Sequence, residues 1–138
     1  MTAVAVDLDG ALGDTRPLWR DWLEDAGRRA RVNVEALDDE LPNWRQLLER
    51  FAEERAPVYL RPDADASAAL RRLHGAGTRI GVFTDAPEEL ARIALAQLGA
   101  TRRIEAVETG EGALEKLLAR LGANTRIVRT RAELVNLR

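Results

Sequence analysis

Residues 4–15 read VAVDLDGALGDT, an apolar run that meets two aspartates, Asp7 and Asp9, and then a glycine. Residues 4–6 form the β-branched stretch of a buried strand, and Gly10, Asp14 and Thr15 supply the turn chemistry that ends it. One residue separates the two acids, so both side chains leave the strand end on the same side. Carboxylates held that close do not both ionise cheaply without a cation, and the pair calls for Mg²⁺ or a shared proton. Acids that interrupt a strand end cost more than acids placed later in a loop, which favours a functional reading over a solvated cap. The chemistry of the chain is therefore expected here.

Working outward, residues 79–84 (RIGVFT), 104–109 (IEAVET, the weakest) and 126–130 (RIVRT) read as three more strands. Helical patterns of about a dozen residues lie between them, and this alternation predicts right-handed βαβ units and a parallel sheet. The fold class is α/β. Ala66, Ala69, Leu70 and Leu73 form one helical stripe; Leu90, Ile93, Ala94 and Leu98 form a second, with Asp85 as its expected cap. Leu114, Leu117, Leu118 and Leu121 form a third. Thr130 and Glu133 have capping-box spacing before a short final helix.

Residues 16–59 break the alternation: they carry helical patterns, no convincing strand and all three tryptophans. Pro17 suits a first helical turn, and Asn43 is the expected cap of a helix with Trp44, Leu47, Leu48 and Phe51. The predicted organisation is an α/β core of residues 1–15 and 60–138, with a small helical cap, residues 16–59, inserted after the first strand. The aromatic cluster fits a subdomain packed on itself, a substrate lid, or both.

With 138 residues, 46% of them hydrophobic and 32% charged, the chain fits one ordinary globular domain. A formal net charge of -2 and a pI near 5.5 give no basic field for nucleic acid, so none is expected as a partner. There is no cysteine and one histidine, His74, read as a surface residue; any metal must be oxygen-ligated. Acids break the N-terminal apolar run and no segment reaches spanning length, so the expectation is a cytoplasmic protein away from membranes, monomer or homodimer. Lys116 is the sole lysine among 21 basic residues.

The stretch DLDGALGDT resembles the first motif of the haloacid dehalogenase (HAD)-like superfamily, in which Asp, any residue, Asp and Gly are followed by Thr or Val; Ala11 departs from it. RIGVFTDAP resembles the family's second motif. The helix before it and the helical insertion are similar to those of phosphoglycolate-phosphatase-like members, and the resemblance covers most of the chain through Ala100. It implies a Rossmannoid parallel sheet and a phosphatase or phosphotransferase acting on a small phosphorylated metabolite. Asp7 would be the nucleophile that becomes an aspartyl phosphate, and Asp9 the general acid and base. Thr84, with backbone N–H groups near Asp85 and Ala86, would bind the phosphoryl group, and Asp7 and Asp9 would hold Mg²⁺.

Beyond Ala100 the pattern thins. The third motif is a basic residue near the start of the helix before the fourth strand; here Lys116 lies about a turn inside that helix, either reaching the phosphate or sitting in a solvated face. The fourth motif should deliver one or two aspartates for Mg²⁺. If RIVRT is the fourth strand, it delivers Arg129, Thr130 and Arg131 instead; if it is the family's closing strand, the fourth-motif segment is deleted. Asp14, Glu108 or Glu111 could replace the ligand, or Arg129 could bind the phosphate directly. Two function classes therefore stand: a HAD-like phosphatase, and a catalytically silent binding or interaction protein on the same fold.

Overall fold

The computed structural model describes residues 2–138. β1 (Ala3–Asp7) leads through a π-type turn over Leu8–Leu12 into α1 (Arg16–Ala30), α2 (Leu37–Glu40) and α3 (Trp44–Tyr59). Then come α4 (Ala64–Gly75), β2 (Arg79–Thr84), α5 (Glu88–Gln97), β3 (Ala106–Thr109), α6 (Ala113–Leu121), β4 (Thr125–Val128) and α7 (Arg131–Asn136). The four strands make one parallel sheet in the order β3-β2-β1-β4. β1 lies inside it with Ala3, Val4, Ala5 and Val6 fully buried, which is why its sequence is an unbroken apolar run.

The two faces of the sheet differ in side-chain size. Val4, Val6, Ile80 and Val82 look toward the larger core, with α4, α5, α7 and the inserted helices. Ala3, Ala5, Phe83 and Ala106 look the other way, onto Leu117 and Leu121 of α6. Gly81 belongs to this second face: a Cβ there would lie 2.6 Å from Leu117 Cδ1 and 2.9 Å from Leu121 Cδ1. Small residues on β1 and β2 thus let one helix seat directly on the strands, which brings the first turn of α6 to their carboxyl ends.

Sequence expectations and structure differ mainly at element ends. β2 occupies the whole expected stretch, whereas β3 begins at Ala106 because the chain first makes a 3-10 turn at Thr101–Arg103. Glu105 is spent outside the strand, its N–H on Ile80 O at 2.8 Å and its carboxylate on Arg79 at 2.6 Å. Asp85 does not cap α5; Pro87 holds the N-cap position without a side-chain bond, and Asp85 stays at the tip of β2. Asn43 likewise makes no side-chain cap for α3. Asp63 caps α4 by accepting from Ala66 N at 2.9 Å, and Thr130 caps α7 as expected, accepting from Glu133 N at 3.1 Å. His74 is exposed.

The inserted helices are seated on the rest of the chain. Leu18 and Trp22 of α1 and Trp44, Leu48 and Ala52 of α3 belong to the same buried cluster as Val4, Val6 and Leu90. Trp19, Trp22 and Trp44 pack with ring centroids 5.5–6.0 Å apart, and Trp44 Nε1 donates to Asp38 at 2.7 Å. α3 lies along α5, where the ion pairs Arg45–Glu89 at 2.9 Å and Arg92–Glu49 at 2.8 Å bridge the two helices. Exposed pairs of this kind contribute little, so the apolar seam carries the attachment. Among the described residues no helix is long and apolar enough to cross a membrane.

Because Leu48 is wholly buried in that shared core, Leu48→Ala is expected to destabilise the whole chain by about 2–5 kcal/mol. Urea denaturation followed by tryptophan fluorescence and by far-UV circular dichroism should give one coincident transition. A separate, earlier fluorescence transition would show instead that the insertion folds on its own.

Candidate active site

The carboxyl ends of β1 and β2 surround a cleft of about 290 Å³, lined by Asp7, Asp9, Arg16, Phe83, Thr84, Asp85, residues 112–115 and Arg129. This is where a parallel α/β sheet places its ligands. Asp7 ends β1 and accepts Asp9 N–H on Oδ1 at 3.1 Å, which closes the first turn of the loop. Its Oδ2 faces Arg129 Nη1 at 3.8 Å.

Asp9 is held more tightly. Its Oδ1 accepts Thr15 N–H at 2.7 Å and the Thr15 hydroxyl at 2.8 Å, while its Oδ2 accepts the Thr84 hydroxyl at 2.8 Å. Thr15 and Thr84 are each 1% exposed, the buried polar residues of the described chain. An ionised carboxylate offers about four acceptor sites, so three protein bonds leave about one for an incoming proton. The single proton of Thr84 is directed at Asp9, and its oxygen accepts Ala86 N–H at 3.2 Å. Thr84 and Ala86 thus position Asp9 in this structure and do not present free donors to the cleft.

Gly10 makes the loop possible. Its φ is +122°, and a Cβ there would stand 2.6 Å from the Arg129 carbonyl oxygen, a backbone atom that cannot yield. The aspartate loop therefore rests against the chain as it leaves β4, and Arg131 Nη2 adds a second tie by donating to Leu12 O at 3.2 Å. Val6 and Val128 are register partners, so Arg129 emerges one step beyond, alongside Asp7.

The structure brings Asp7, Asp9, Thr84 and Asp85 together. It does not bring in Lys116, which is exposed, donates to Thr109 O at 3.0 Å and lies outside the lining of the cleft. The place expected for a lysine is filled by the first turn of α6, whose N-cap Gly112 provides no side-chain cap, so its dipole points positive charge at the cleft. Of the alternative acids, Asp14 is engaged by Arg16 at 2.8 and 2.9 Å, which holds its carboxyl below the ordinary range. Glu108 pairs with Arg120 at 2.7 Å, and Glu111 lies outside the lining. Among the described residues no group of three or more His, Cys, Asp or Glu could hold a metal ion. The clamp of Thr15 on Asp9 has no sequence signal, since a threonine six residues after an acid carries no spacing rule for contact.

In overall shape the chain matches a HAD phosphatase from Thermococcus onnurineus with a TM-score of 0.63 at 18% identity, over 94% of this chain and 77% of that one. It matches a protein assigned as a β-phosphoglucomutase from Thermotoga maritima with a TM-score of 0.61 at 21% identity, over 98% and 80%. An L-2-haloacid dehalogenase from Xanthobacter autotrophicus, with chloropropionic acid covalently bound, matches with a TM-score of 0.57 at 18% identity, over 94% and 69%. The chain has the HAD-like fold. No protein-family model matches it, and no curated protein matches it in sequence. In this sheet, the cleft at the end of β1 is where Asp7 and Asp9 stand.

Burial foremost, then the neighbouring Asp9 charge, push the Asp7 carboxyl above its ordinary value, against weaker opposing pulls from Asp9 N–H and Arg129. A carboxyl raised in the folded state binds its proton more tightly there than in the unfolded chain. Its ionisation therefore opposes folding at neutral pH, and this penalty disappears as pH falls below the carboxylate range. Asp7→Asn is expected to melt above the unaltered protein at pH 7, with the gap closing toward acid; a gap that widens toward acid contradicts this. Gly10→Ala is expected to cost about 2 kcal/mol or more in urea denaturation, since neither φ nor the carbonyl contact can relax.

Proposed function

We propose that this chain hydrolyses or transfers the phosphoryl group of a small phosphorylated molecule through an aspartyl phosphate at Asp7. The observation that carries the reading is the division of labour in the pair: Asp7 presents Oδ2 to the cleft without a hydrogen bond, while Asp9 is clamped by Thr15 and Thr84 beside it. An unencumbered oxygen suits a nucleophile, and a fixed carboxylate with about one open acceptor site suits a proton carrier.

In the first step Asp9, protonated at its open acceptor site from solvent before the substrate reacts, gives that proton to the leaving oxygen as Asp7 Oδ2 bonds to phosphorus and the bond from phosphorus to the leaving oxygen breaks. In the second, Asp9, now a carboxylate, takes a proton from water as the water oxygen bonds to phosphorus. The acyl phosphate then breaks and regenerates Asp7. The positive end of α6 and Arg129 flank the transferring group. A small substrate is favoured by the cleft volume of about 290 Å³. A hollow of about 370 Å³ lined by Trp19, Asp38 and Trp44 meets the cleft at Asp85 and gives room for the leaving group.

The second reading is a binding protein without turnover, favoured by the lack of a third metal-ligating carboxylate among the described residues. Aryl-phosphate hydrolysis separates the two. For the enzyme, Asp7→Asn lowers kcat by about three decades or more, equivalent to ~4 kcal/mol of barrier. Release at equal background rates by both proteins would sink the enzymatic reading.

A further inference from the structure

Mg²⁺, which the sequence resemblance implies, prefers an octahedral set of oxygens at about 2.0–2.1 Å and is commonly held by one or two carboxylates together with waters. The donors at the end of β1 do not fit it. Asp9 accepts three hydrogen bonds from Thr15 and Thr84, which hold it in place and leave it about one acceptor site, and Asp7 Oδ1 accepts Asp9 N–H. The carboxylate oxygen without a hydrogen bond is Asp7 Oδ2, and the group facing it at 3.8 Å is a guanidinium. A divalent cation bound to that oxygen would have the Arg129 guanidinium, a like charge, as its neighbour, and Asp85, which also lines the cleft, does not complete a metal-holding group of three with Asp7 and Asp9.

We infer that Arg129 is the cation of this site, and that it binds the phosphoryl group of the substrate directly so that divalent metal is not required. This rests on the phosphoryl-transfer reading and specifies what neutralises the substrate there. Three observations converge on Arg129. Its backbone is fixed, because it follows buried Val128 and its carbonyl supports Gly10 of the aspartate loop. Its guanidinium lies 5.5 Å from the Phe83 ring centroid, a contact that steers the side chain over the cleft. Its planar donors make no side-chain hydrogen bond among the described residues, so the fork is free for two phosphate oxygens. Arg16, which also lines the cleft, has its fork spent on both oxygens of Asp14.

Arg129 stays protonated throughout, so the proton transfers between Asp9, the leaving group and water are unchanged. What differs is the origin of the positive charge: it comes with the chain, and its geometry is set when β4 pairs with β1.

The experiment is thermal melting of the full chain with inorganic phosphate, in EDTA and in MgCl2, run beside aryl-phosphate turnover under the same two conditions. The expected result is a phosphate-induced rise in melting temperature of equal size in both, no rise with MgCl2 alone, and turnover unaffected by EDTA. Arg129→Gln, at an exposed position, should fold as judged by circular dichroism and bind phosphate at least tenfold more weakly, with Arg129→Lys recovering part of the loss. A phosphate shift that appears only with Mg²⁺, or that survives in Arg129→Gln, overturns the role of Arg129. Turnover that needs Mg²⁺ and Asp7 overturns it as well, while leaving the phosphoryl-transfer reading standing. Metal-independent phosphate binding through Arg129 without turnover does the reverse: it upholds the phosphate site and overturns the chemistry.

Discussion

Three hydrogen bonds converge on one carboxylate, and the geometry of the strand ends follows from them. Asp9 receives Thr15 N–H and hydroxyl from the start of α1 and the Thr84 hydroxyl from the end of β2, at 2.7–2.8 Å. Bonds to a charged acceptor are about twice as strong as neutral ones, and breaking one would orphan the N–H or the hydroxyl of a buried threonine. The loop after β1 is therefore pinned at both ends of its path: to β2 through Thr84, and to the first turn of the helical insertion through Thr15. With the loop so held, Asp7 Oδ1 accepts Asp9 N–H at the end of β1, and Gly10 is pressed onto the chain leaving β4.

The fold was legible where burial leaves a periodic trace. β1 and β2 are apolar runs because they are covered on both faces, and RIGVFT coincides with its strand residue for residue. Helix ends were legible where a side chain closes them, as at Thr130, and not where tertiary contacts do. Asp85 and Asn43 look like caps by composition, yet the backbone at those points is set by the strand tip and by the seating of α3 on α5. The seating itself has only a diffuse signal. Leu48 and Ala52 form an apolar stripe whatever they pack against, so a self-contained subdomain and a share in the main core read alike in sequence.

The site divides the same way. Asp7 and Asp9 could be found because strand geometry alone puts residues two apart on one side. Thr84 could be found as a strand terminus, but the direction of its hydroxyl depends on where Asp9 stands. Lys116 attracted notice as the sole lysine. In the structure its Nζ is on the Thr109 carbonyl, at the end of the strand beyond β2, and the first turn of α6 borders the cleft in its place. Arg129 was one of several candidates, and what singles it out is the sheet order. With β4 beside β1, the residue after Val128 is the one next to Asp7.

The pair of carboxylates beside it opposes stability more than Arg129 relieves it. Arg129 is 57% exposed on its side chain and 3.8 Å from Asp7, a pair of the kind that contributes about 0–1 kcal/mol. It offsets only in part the burial and the Asp9 charge that raise the Asp7 carboxyl. A chain selected for stability alone could remove the conflict by replacing either acid with a neutral side chain. Keeping two carboxylates at the mouth of a parallel sheet, one clamped and one free, with a cation that only partly compensates them, leaves a local charge imbalance. An anion entering between Arg129 and the first turn of α6 would meet two fixed positive groups there, and these act against the repulsion from the neighbouring carboxylates.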